Sequence, residues 1–214
     1  MSIRGSPVRR FYEHCRQQFS EEGFHGKDHR NRVRLARWSR RGPGGGEEFE
    51  YAGWSFEIDR GDEGNKFKVD ETFESEALLL GRKTYEGFAA AWPSREGEFA
   101  DKFNRMPKYV VSSTLATPEW SNTTVLRGDL AQEVGRLRKR HSGPIVIHGS
   151  PTLVQGLIEH DLLDELRLMV YPVVLGKGKR LFGNTTTKKR LRLQSSRVVG
   201  DSVEIAIYEA VRSA

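Results

Sequence analysis

Three short segments place glycine and hydroxyl residues directly after an apolar run, the position at which parallel α/β sheets bind ligands. These segments are Leu80-Gly81-Arg82-Lys83-Thr84, Val111-Ser112-Ser113-Thr114 and His148-Gly149-Ser150-Pro151-Thr152. A glycine lets the chain turn at a strand end, and a helix that follows offers free N–H groups to a phosphate. Each segment alone fits an ordinary turn. Together they favour a dinucleotide or another phosphate-bearing ligand.

Other candidate residues carry weaker signals. In Leu175-Gly176-Lys177-Gly178-Lys179-Arg180, the cations either attract a phosphate or solvate a loop. The junctions contain neither a Walker-type lysine motif nor G-x-G-x-x-G, so the usual P-loop and Rossmann patterns do not apply. The histidines lack metal-ligand spacing, and His148 is predicted to be structural. The residues predicted to pack near loops are Trp54, Trp92 and Trp120.

The elements that position these segments alternate between strand and helix. Apolar runs and strand-forming residues predict strands at 77–80, 108–112, 124–126, 144–148, 165–174 and 202–209. Helices are predicted at 82–91, from the Asp129 cap to residue 140, and at 151–160. This alternation predicts an α/β fold with a mostly parallel sheet, flanking helices and an antiparallel C-terminal hairpin.

The charge of the chain is concentrated at one end. The 214 residues carry a net charge of +6, of which residues 1–46 supply +7 and residues 47–214 supply −1. A basic excess in one segment can attract nucleic acid, but the near-neutral body gives no reason to expect it as a partner. With one cysteine, no metal motif, no apolar run of membrane-spanning length and no signal peptide, we expect a cytoplasmic protein without a metal.

Several motifs resemble the dihydrofolate reductase-like superfamily, and most closely the small reductases related to the C-terminal half of the riboflavin-pathway deaminase-reductase. They occur in the family's order over residues 49–210. The matching segments are Phe49-Glu50-Tyr51-Ala52-Gly53-Trp54, Asp70-Glu71-Thr72-Phe73, Leu78-Leu79-Leu80-Gly81-Arg82-Lys83-Thr84-Tyr85-Glu86-Gly87-Phe88, Trp92-Pro93, Met106-Pro107-Lys108-Tyr109-Val110-Val111-Ser112, His148-Gly149-Ser150 and Leu175-Gly176-Lys177-Gly178-Lys179-Arg180-Leu181-Phe182-Gly183.

The resemblance implies an NADPH-dependent reductase acting on a small pyrimidine- or pterin-like substrate, and it makes a homodimer plausible. Its residue roles fall into three groups: cofactor phosphates at Gly81, Arg82, Lys83 and Thr84; the adenosine end at Ser112 and Ser113; the pyrophosphate at Gly149, Ser150, Thr152 and Leu153. Pro151 departs from the family's small residue and removes one N–H donor.

No catalytic residue can be named from the sequence. Within the family the proton donor is often a bound water or a carboxylate near the first strands. The candidate carboxylates in the matched part are Glu57, Asp59 and Asp70, and their spacing singles out none of them.

The family's first strand, which ends in a motif of the type Val-Ser-Leu-Asp-Gly, is not found before Phe49. Residues 31–38 can be back-translated into codons that, read one base later, encode Thr-Glu-Phe-Val-Ser-Leu-Asp-Gly. The two frames rejoin within the glycine tract at 44–46. We therefore predict that residues 1–46 are a basic leader, disordered or frame-shifted, before a reductase domain at 47–214 that lacks its first strand. The chain as written is then expected to be poorly stable and weakly active.

Two further functions remain open. A catalytically inactive nucleotide-binding or interaction protein of the same fold would bind the cofactor without turnover. A nucleic-acid binder using the basic leader would lose salt-sensitive binding when the leader is deleted.

Overall fold

The computed structural model of the chain describes residues 33–36, 50–51, 53–176, 178, 180–183 and 185–212. Its strands are Val33–Ala36 (β1), Ala77–Gly81 (β2), Lys108–Val111 (β3), Thr123–Leu126 (β4), Ile145–Ile147 (β5), Glu165–Val170 (β6), Arg190–Val199 (β7) and Val203–Val211 (β8). Its helices are Gly61–Glu74 (α1), Arg82–Ala91 (α2), Glu98–Arg105 (α3), Leu130–Arg140 (α4) and Pro151–Glu159 (α5), with a 3₁₀ turn at Trp54–Phe56.

One eight-stranded sheet contains all the described strands, in the order β4-β3-β2-β5-β1-β6-β8-β7. The strands from β4 to β6 run parallel, and β8 and β7 complete the sheet as an antiparallel hairpin. Parallel neighbours need crossover connections, which the helices supply. The predicted α/β fold, with its mostly parallel sheet and C-terminal hairpin, is confirmed.

The strand β1 joins two groups of strands. It pairs in parallel with β5 on one side and with β6 on the other, so it links the parallel group β4-β3-β2-β5 to the antiparallel group β6-β8-β7. The sequence predicts no strand before Phe49, and here the structure differs. Without β1, both β5 and β6 would expose unpaired backbone groups. Pairing with these groups therefore stabilises even a four-residue strand.

The position of β1 coincides with the segment that can be back-translated into codons for the missing family strand in the alternative frame. The presence of β1 does not distinguish the sequence as given from the sequence in the shifted frame. The frame hypothesis therefore stays a prediction. The predicted disorder of the rest of the leader lies outside the described residues.

Local sequence signals account for most element boundaries. The Asp129 carboxylate accepts a hydrogen bond from the Gln132 N–H over 3.0 Å, which caps α4 as predicted. The predicted helix at 82–91 is confirmed as α2. The strand predicted at 165–174 ends earlier, at Val170. Pro172 follows closely and has no N–H to continue the ladder.

Three elements besides β1 are absent from the predictions above. The helix α1 buries polar residues, including Lys68, Glu71 and Thr72, so its apolar periodicity is obscured. The helix α3 has only eight residues. The strand β7 is an edge strand with one buried residue, Val199, so alternation between an apolar and a polar face is missing.

Three apolar clusters hold the sheet to its helices. Because side chains alternate along a strand, Leu79 packs under α4 and α5, whereas Leu78 and Leu80 pack under α2 and α3. The third cluster joins α1 to the antiparallel group of strands. No helix among the described residues is long and apolar enough to cross a membrane.

Candidate functional site

Two of the three predicted segments meet at the carboxyl edge of the sheet. The strands β2 and β5 are neighbours, and the residues that end them come into contact. The Gly81 N–H donates a hydrogen bond to the Ser150 hydroxyl over 2.9 Å. A Cβ atom on Gly81 would lie 3.5 Å from the Ser150 Cβ, so a small residue fits this junction.

The turn after β5 has an unusual backbone. Gly149 and Ser150 both have positive φ, +69° and +55°. A left-handed serine is uncommon, and its hydroxyl is held by the bond from Gly81. A Cβ atom on Gly149 would lie 3.7 Å from the Thr84 methyl carbon, so the Gly149 backbone faces the start of α2.

The first turn of α5 completes this corner. Pro151 occupies the first helical position, where a backbone N–H would have no intrahelical acceptor in any case, so the loss of that donor costs the helix little. Thr152 is exposed, whereas the Leu153 side chain belongs to the apolar cluster under α4 and α5. Leu153 can therefore contribute only its backbone N–H to a ligand.

The third predicted segment lies on the neighbouring strand β3, and its hydroxyl is already used. The Ser112 hydroxyl accepts hydrogen bonds from the Thr114 and Leu115 N–H groups over 3.2 and 3.0 Å. It therefore closes its own turn, whereas Ser113 beside it is exposed. Of the two, Ser113 has the hydroxyl that is better placed to meet a ligand.

Three exposed cations line the same edge, and one of them was not predicted. Arg82 forms an exposed ion pair with Glu86 over 2.8 Å, and Lys83 is exposed. Arg127 follows β4 directly, and its guanidinium donates to the backbone carbonyls of Ser113 and Leu115 over 3.2 and 2.5 Å. Arg127 follows β4, a predicted strand, and this position in the sequence could have identified it as a candidate site residue.

The basic loop predicted at 175–180 is only partly described, since Lys177 and Lys179 lie outside the described residues. The Gln155 amide on α5 donates to the carbonyls of Arg180 and Leu181, which fixes the end of this loop beside α5. Both interpretations of its cations stay predictions.

The candidate carboxylates do not converge on this edge. Asp70 pairs with Lys66 over 2.9 Å on the surface of α1, Asp59 accepts from the Gly61 N–H over 2.8 Å, and Glu57 is exposed. The buried carboxylate Glu71 lies on α1 and bonds Lys68 over 2.5 Å, so it already has a cation. No catalytic acid is identified. No group of three or more potential metal ligands occurs in the part of the chain that the structure describes.

The predicted packing residues are buried. His148 lies against Phe103 with ring centroids 5.7 Å apart, in line with its predicted structural role. Trp92 and Trp120 belong to the cluster under α2 and α3, and the Trp120 indole donates to Asn104 over 2.8 Å. Trp54 is also buried, but its indole N–H has no acceptor among the described residues.

The strand order, the glycine turns at the carboxyl edge and the antiparallel hairpin define a dihydrofolate reductase-like fold. Dihydrofolate reductase from Enterococcus faecalis, solved in complex with NADP(H), aligns with a TM-score of 0.51 at 15% identity, covering 86% of this chain and 99% of that one. A Shewanella sp. PV-4 protein whose name points to riboflavin biosynthesis aligns with a TM-score of 0.66 at 19% identity, covering 85% and 99%.

The family follows from the sequence match. The model of the RibD C-terminal domain matches residues 42–205, and the chain belongs to this family. The uncharacterized protein YyaP of Bacillus subtilis is 30% identical over 139 residues, which cover 62% of this chain and 73% of YyaP. The predicted resemblance is confirmed, and a reductase related to the riboflavin pathway is the class that these similarities support.

Proposed function

We propose that this chain is an NADPH-dependent reductase that transfers a hydride to a small pyrimidine- or pterin-like heterocycle. The observation that carries the proposal is the joined corner of β2 and β5. There the bond from Gly81 to Ser150 and the left-handed Gly149 leave a backbone cradle beside the N-termini of two helices. Such cradles suit a pyrophosphate, since N–H groups converge where no side chain intrudes.

The residues present fit a nicotinamide dinucleotide. A side chain at Gly149 would fill the space between the turn and Thr84, which supports a role for that space in binding. We assign the pyrophosphate to Gly149, Ser150, Thr152 and Leu153, and further phosphate contacts to Gly81, Arg82, Lys83 and Thr84. Ser112 shapes the turn at the adenosine end, and Ser113 contacts it. When bound, the cofactor supplies the hydride, and the protein orients it against the substrate.

A preference for NADPH over NADH rests on charge. The cofactor with the additional 2′-phosphate gains from cations near its adenosine end. Arg127 is bonded to Ser113, which the proposal places at that end. The cations Arg82 and Lys83 lie at the end of β2, a neighbour of β3. The homodimer and the cytoplasmic location stay predictions.

Cofactor binding to the full chain tests the cradle directly. NADPH fluorescence titrations should show binding that Gly149→Val weakens at least about 10-fold, since the added side chain strains a left-handed residue and fills the cradle. Gly87→Ala is the matched control, because Gly87 lies on α2 with nothing within 4 Å of its Cβ position. Equal affinities for the two variants would refute the cradle.

Cofactor selectivity has its own pair of variants. Arg127→Gln should weaken NADPH binding about 10-fold and leave NADH binding unchanged, because it removes a charge that only the 2′-phosphate uses. Arg136→Gln is the control, since Arg136 is an exposed arginine on α4 paired with Glu133 over 2.8 Å. A similar loss for both cofactors would assign Arg127 to loop structure instead.

A catalytically inactive nucleotide-binding protein is the second candidate, favoured by the lack of an identified catalytic acid. NADPH oxidation followed at 340 nm with an aminopyrimidine and a pterin as acceptors separates the two. Binding with turnover supports the reductase, whereas tight binding without turnover on either acceptor supports the second candidate.

A further inference from the structure

Two buried donors at the antiparallel side of the carboxyl edge lack partners. Trp54 and Tyr171 are each 7% exposed, and neither the Trp54 Nε1–H nor the Tyr171 hydroxyl has a hydrogen-bond partner within the described ranges. The two rings touch edge to face, with centroids 5.2 Å apart. A buried donor without an acceptor does not recover the free energy lost when it leaves water. Two such donors in contact therefore call for an explanation.

Loose packing does not explain them, because other buried rings are satisfied. The Trp120 indole donates to Asn104 over 2.8 Å. The Tyr85 hydroxyl accepts from the Trp120 backbone N–H over 3.0 Å, and the Tyr109 hydroxyl lies 2.9 Å from the His141 Nε2. The Trp120 indole and the hydroxyls of Tyr85 and Tyr109, all in the parallel half, are thus paired, whereas the Trp54 and Tyr171 donors lie together in one cluster.

The location of the pair is the edge that carries the proposed cofactor site. Tyr171 directly follows β6, and β6 lies next to β1, which lies next to β5. The carboxyl ends of these parallel strands meet at one edge, so Tyr171 and the Gly149 turn lie on the same side of the sheet. Trp54 is brought there by the turn before α1.

The turn that carries Trp54 is fixed by close backbone contacts. Gly53 adopts a φ of +84° and its carbonyl accepts from the Phe56 N–H over 2.8 Å. The Asp59 carbonyl accepts from the Asp201 N–H over 2.6 Å, and a Cβ atom on Gly200 would overlap that carbonyl at 2.3 Å. The hairpin between β7 and β8 thus contacts the segment between Trp54 and α1 and fixes the backbone there.

The surroundings specify the chemistry of a ligand. The pair lies in a cluster with Phe67, Met169, Val199, Val203 and Ile205, all apolar. An indole nitrogen can only donate, so its partner must present an acceptor. Two cations lie over the Phe67 ring: Arg167 is held by Glu165 over 2.6 Å, and Arg197 is exposed to solvent. The wall around the two donors is therefore apolar, and a neutral planar ring with carbonyl oxygens or ring nitrogens fits it.

We propose that Trp54 and Tyr171 read the acceptor atoms of the substrate, donating hydrogen bonds to a carbonyl oxygen or ring nitrogen of an uncharged heterocycle. This inference rests on the proposed reductase function and specifies which substrate atoms the protein recognises. A substrate that presented only donors or apolar carbons at this position would be rejected, since the Trp54 N–H, which can only donate, would stay unpaired.

The test compares two bicyclic probes on the full chain, with and without NADPH. Lumazine presents acceptors, and naphthalene has none. Trp54→Phe and Tyr171→Phe should each weaken lumazine binding about 5- to 10-fold, the contribution of one hydrogen bond, and leave naphthalene binding unchanged or tighter. Tyr208→Phe is the matched control, because Tyr208 packs against the cluster under α4 and α5.

A spectroscopic measurement keeps the test independent of how the variants fold. In the wild-type protein the Trp54 indole proton should move downfield when lumazine is added and should not do so with naphthalene. Absence of lumazine binding, equal losses for both probes, or an unmoved indole proton would overturn the inference. NADPH titration of the same samples is a separate readout, so failure of the cofactor site is distinguished from failure of the donor pair.

Discussion

The two halves of the sheet each bury a cation, and they stabilise it in different ways. In the parallel half, Lys108 on β3 is fully buried, and its ammonium donates to the carbonyls of Asn104, Met106 and Ser121 over 2.7, 2.9 and 3.0 Å. In the antiparallel half, Arg167 on β6 is 9% exposed and faces carboxylates, chiefly Glu165 at 2.6 Å.

This difference determines how the stability of each half depends on pH. Carbonyl groups are neutral dipoles, and burial lowers the pKa of Lys108 to about 8. Burial would also lower the pKa of Arg167, but the charges of Glu165, Glu71 and Glu74 outweigh it and raise that pKa above its ordinary value. The parallel half therefore tolerates loss of a proton, whereas the antiparallel half needs its charges balanced.

Arg167→Met should have the largest effect on stability. It leaves the buried Glu165 carboxylate without its cation, a change that typically costs about 3–5 kcal/mol of unfolding free energy, and leaves Glu71 with Lys68 alone. Urea denaturation measures it. Arg197→Met is the control, since Arg197 also lies over the Phe67 ring, at 5.5 Å, but is exposed. A loss below about 1 kcal/mol for Arg167→Met would remove the contrast between the halves.

Restoring the family strand at the junction of the halves should stabilise the chain. A central parallel strand is normally covered on both faces, yet the sequence as given places Arg34 in register with Val146 and Glu165. Replacing residues 31–38 by Thr-Glu-Phe-Val-Ser-Leu-Asp-Gly should raise the unfolding free energy by about 2–3 kcal/mol, roughly one buried aliphatic side chain.

The control for this replacement is a scrambled version of the same eight residues, measured by the same denaturation. Equal stability of the scrambled and ordered segments would argue against the alternative frame. Sequencing the gene across the codons for residues 44–46 checks the frame independently.

Lys108→Met should cost about 1–3 kcal/mol at pH 7. Three buried carbonyls lose their donor, but the protein no longer desolvates a charge, so the loss is smaller than at Arg167. Thermal unfolding is the measurement, with Lys102→Met on α3 as the control for removing a partly exposed lysine. A variant more stable than the wild type would mean that the carbonyls do not depend on the ammonium.

The pH dependence of Lys108 has a defined sign. Its folded pKa, about 8, lies below the ordinary value of 10.5, so between these values the unfolded chain holds a proton that the folded chain has released. Stability contributed by this group therefore rises with pH across that window. The difference in unfolding free energy between wild type and Lys108→Met, measured from pH 7 to pH 10.5, should show this rise. A flat or falling difference would contradict it.

Glu76→Gln should have the smallest effect. Burial raises the Glu76 pKa, but hydrogen bonds from the Gly143 backbone, Ser142 and His141 outweigh it and lower the pKa below 4.5. The stabilisation is present above pH 4.5 and is lost as pH falls through the folded pKa. Because the carboxylate is partly exposed, we expect the stability of the variant to differ from that of the wild type mainly in this acid range. Acid titration monitored by circular dichroism measures the difference.

Sequence signals were sufficient to predict element boundaries where a residue type has one well-defined structural role. Gly149 follows β5 with a φ of +69°, which glycine adopts without strain, and Asp129 caps α4. They were insufficient where polar residues are buried. Lys68 and Glu71 resemble surface residues in the sequence and become buried only through partners in the third dimension.

The candidate site divides in the same way. The corner of Gly81 and Ser150 could be anticipated because both segments end parallel strands. The unpaired donors of Trp54 and Tyr171 could not, since they are 117 positions apart and their lack of partners is a property of the packed cluster alone.

The strand β1 has a consequence for the order in which the protein is made on the ribosome. Its partners β5 and β6 are synthesised more than 100 residues later, so the nascent chain carries β1 without neighbours for much of translation. Non-local parallel pairing of this kind is slow, and unpaired strands are prone to association. The halves can be united only after the ribosome has released β6, which makes the full chain, rather than any N-terminal fragment, the unit that chaperones must protect.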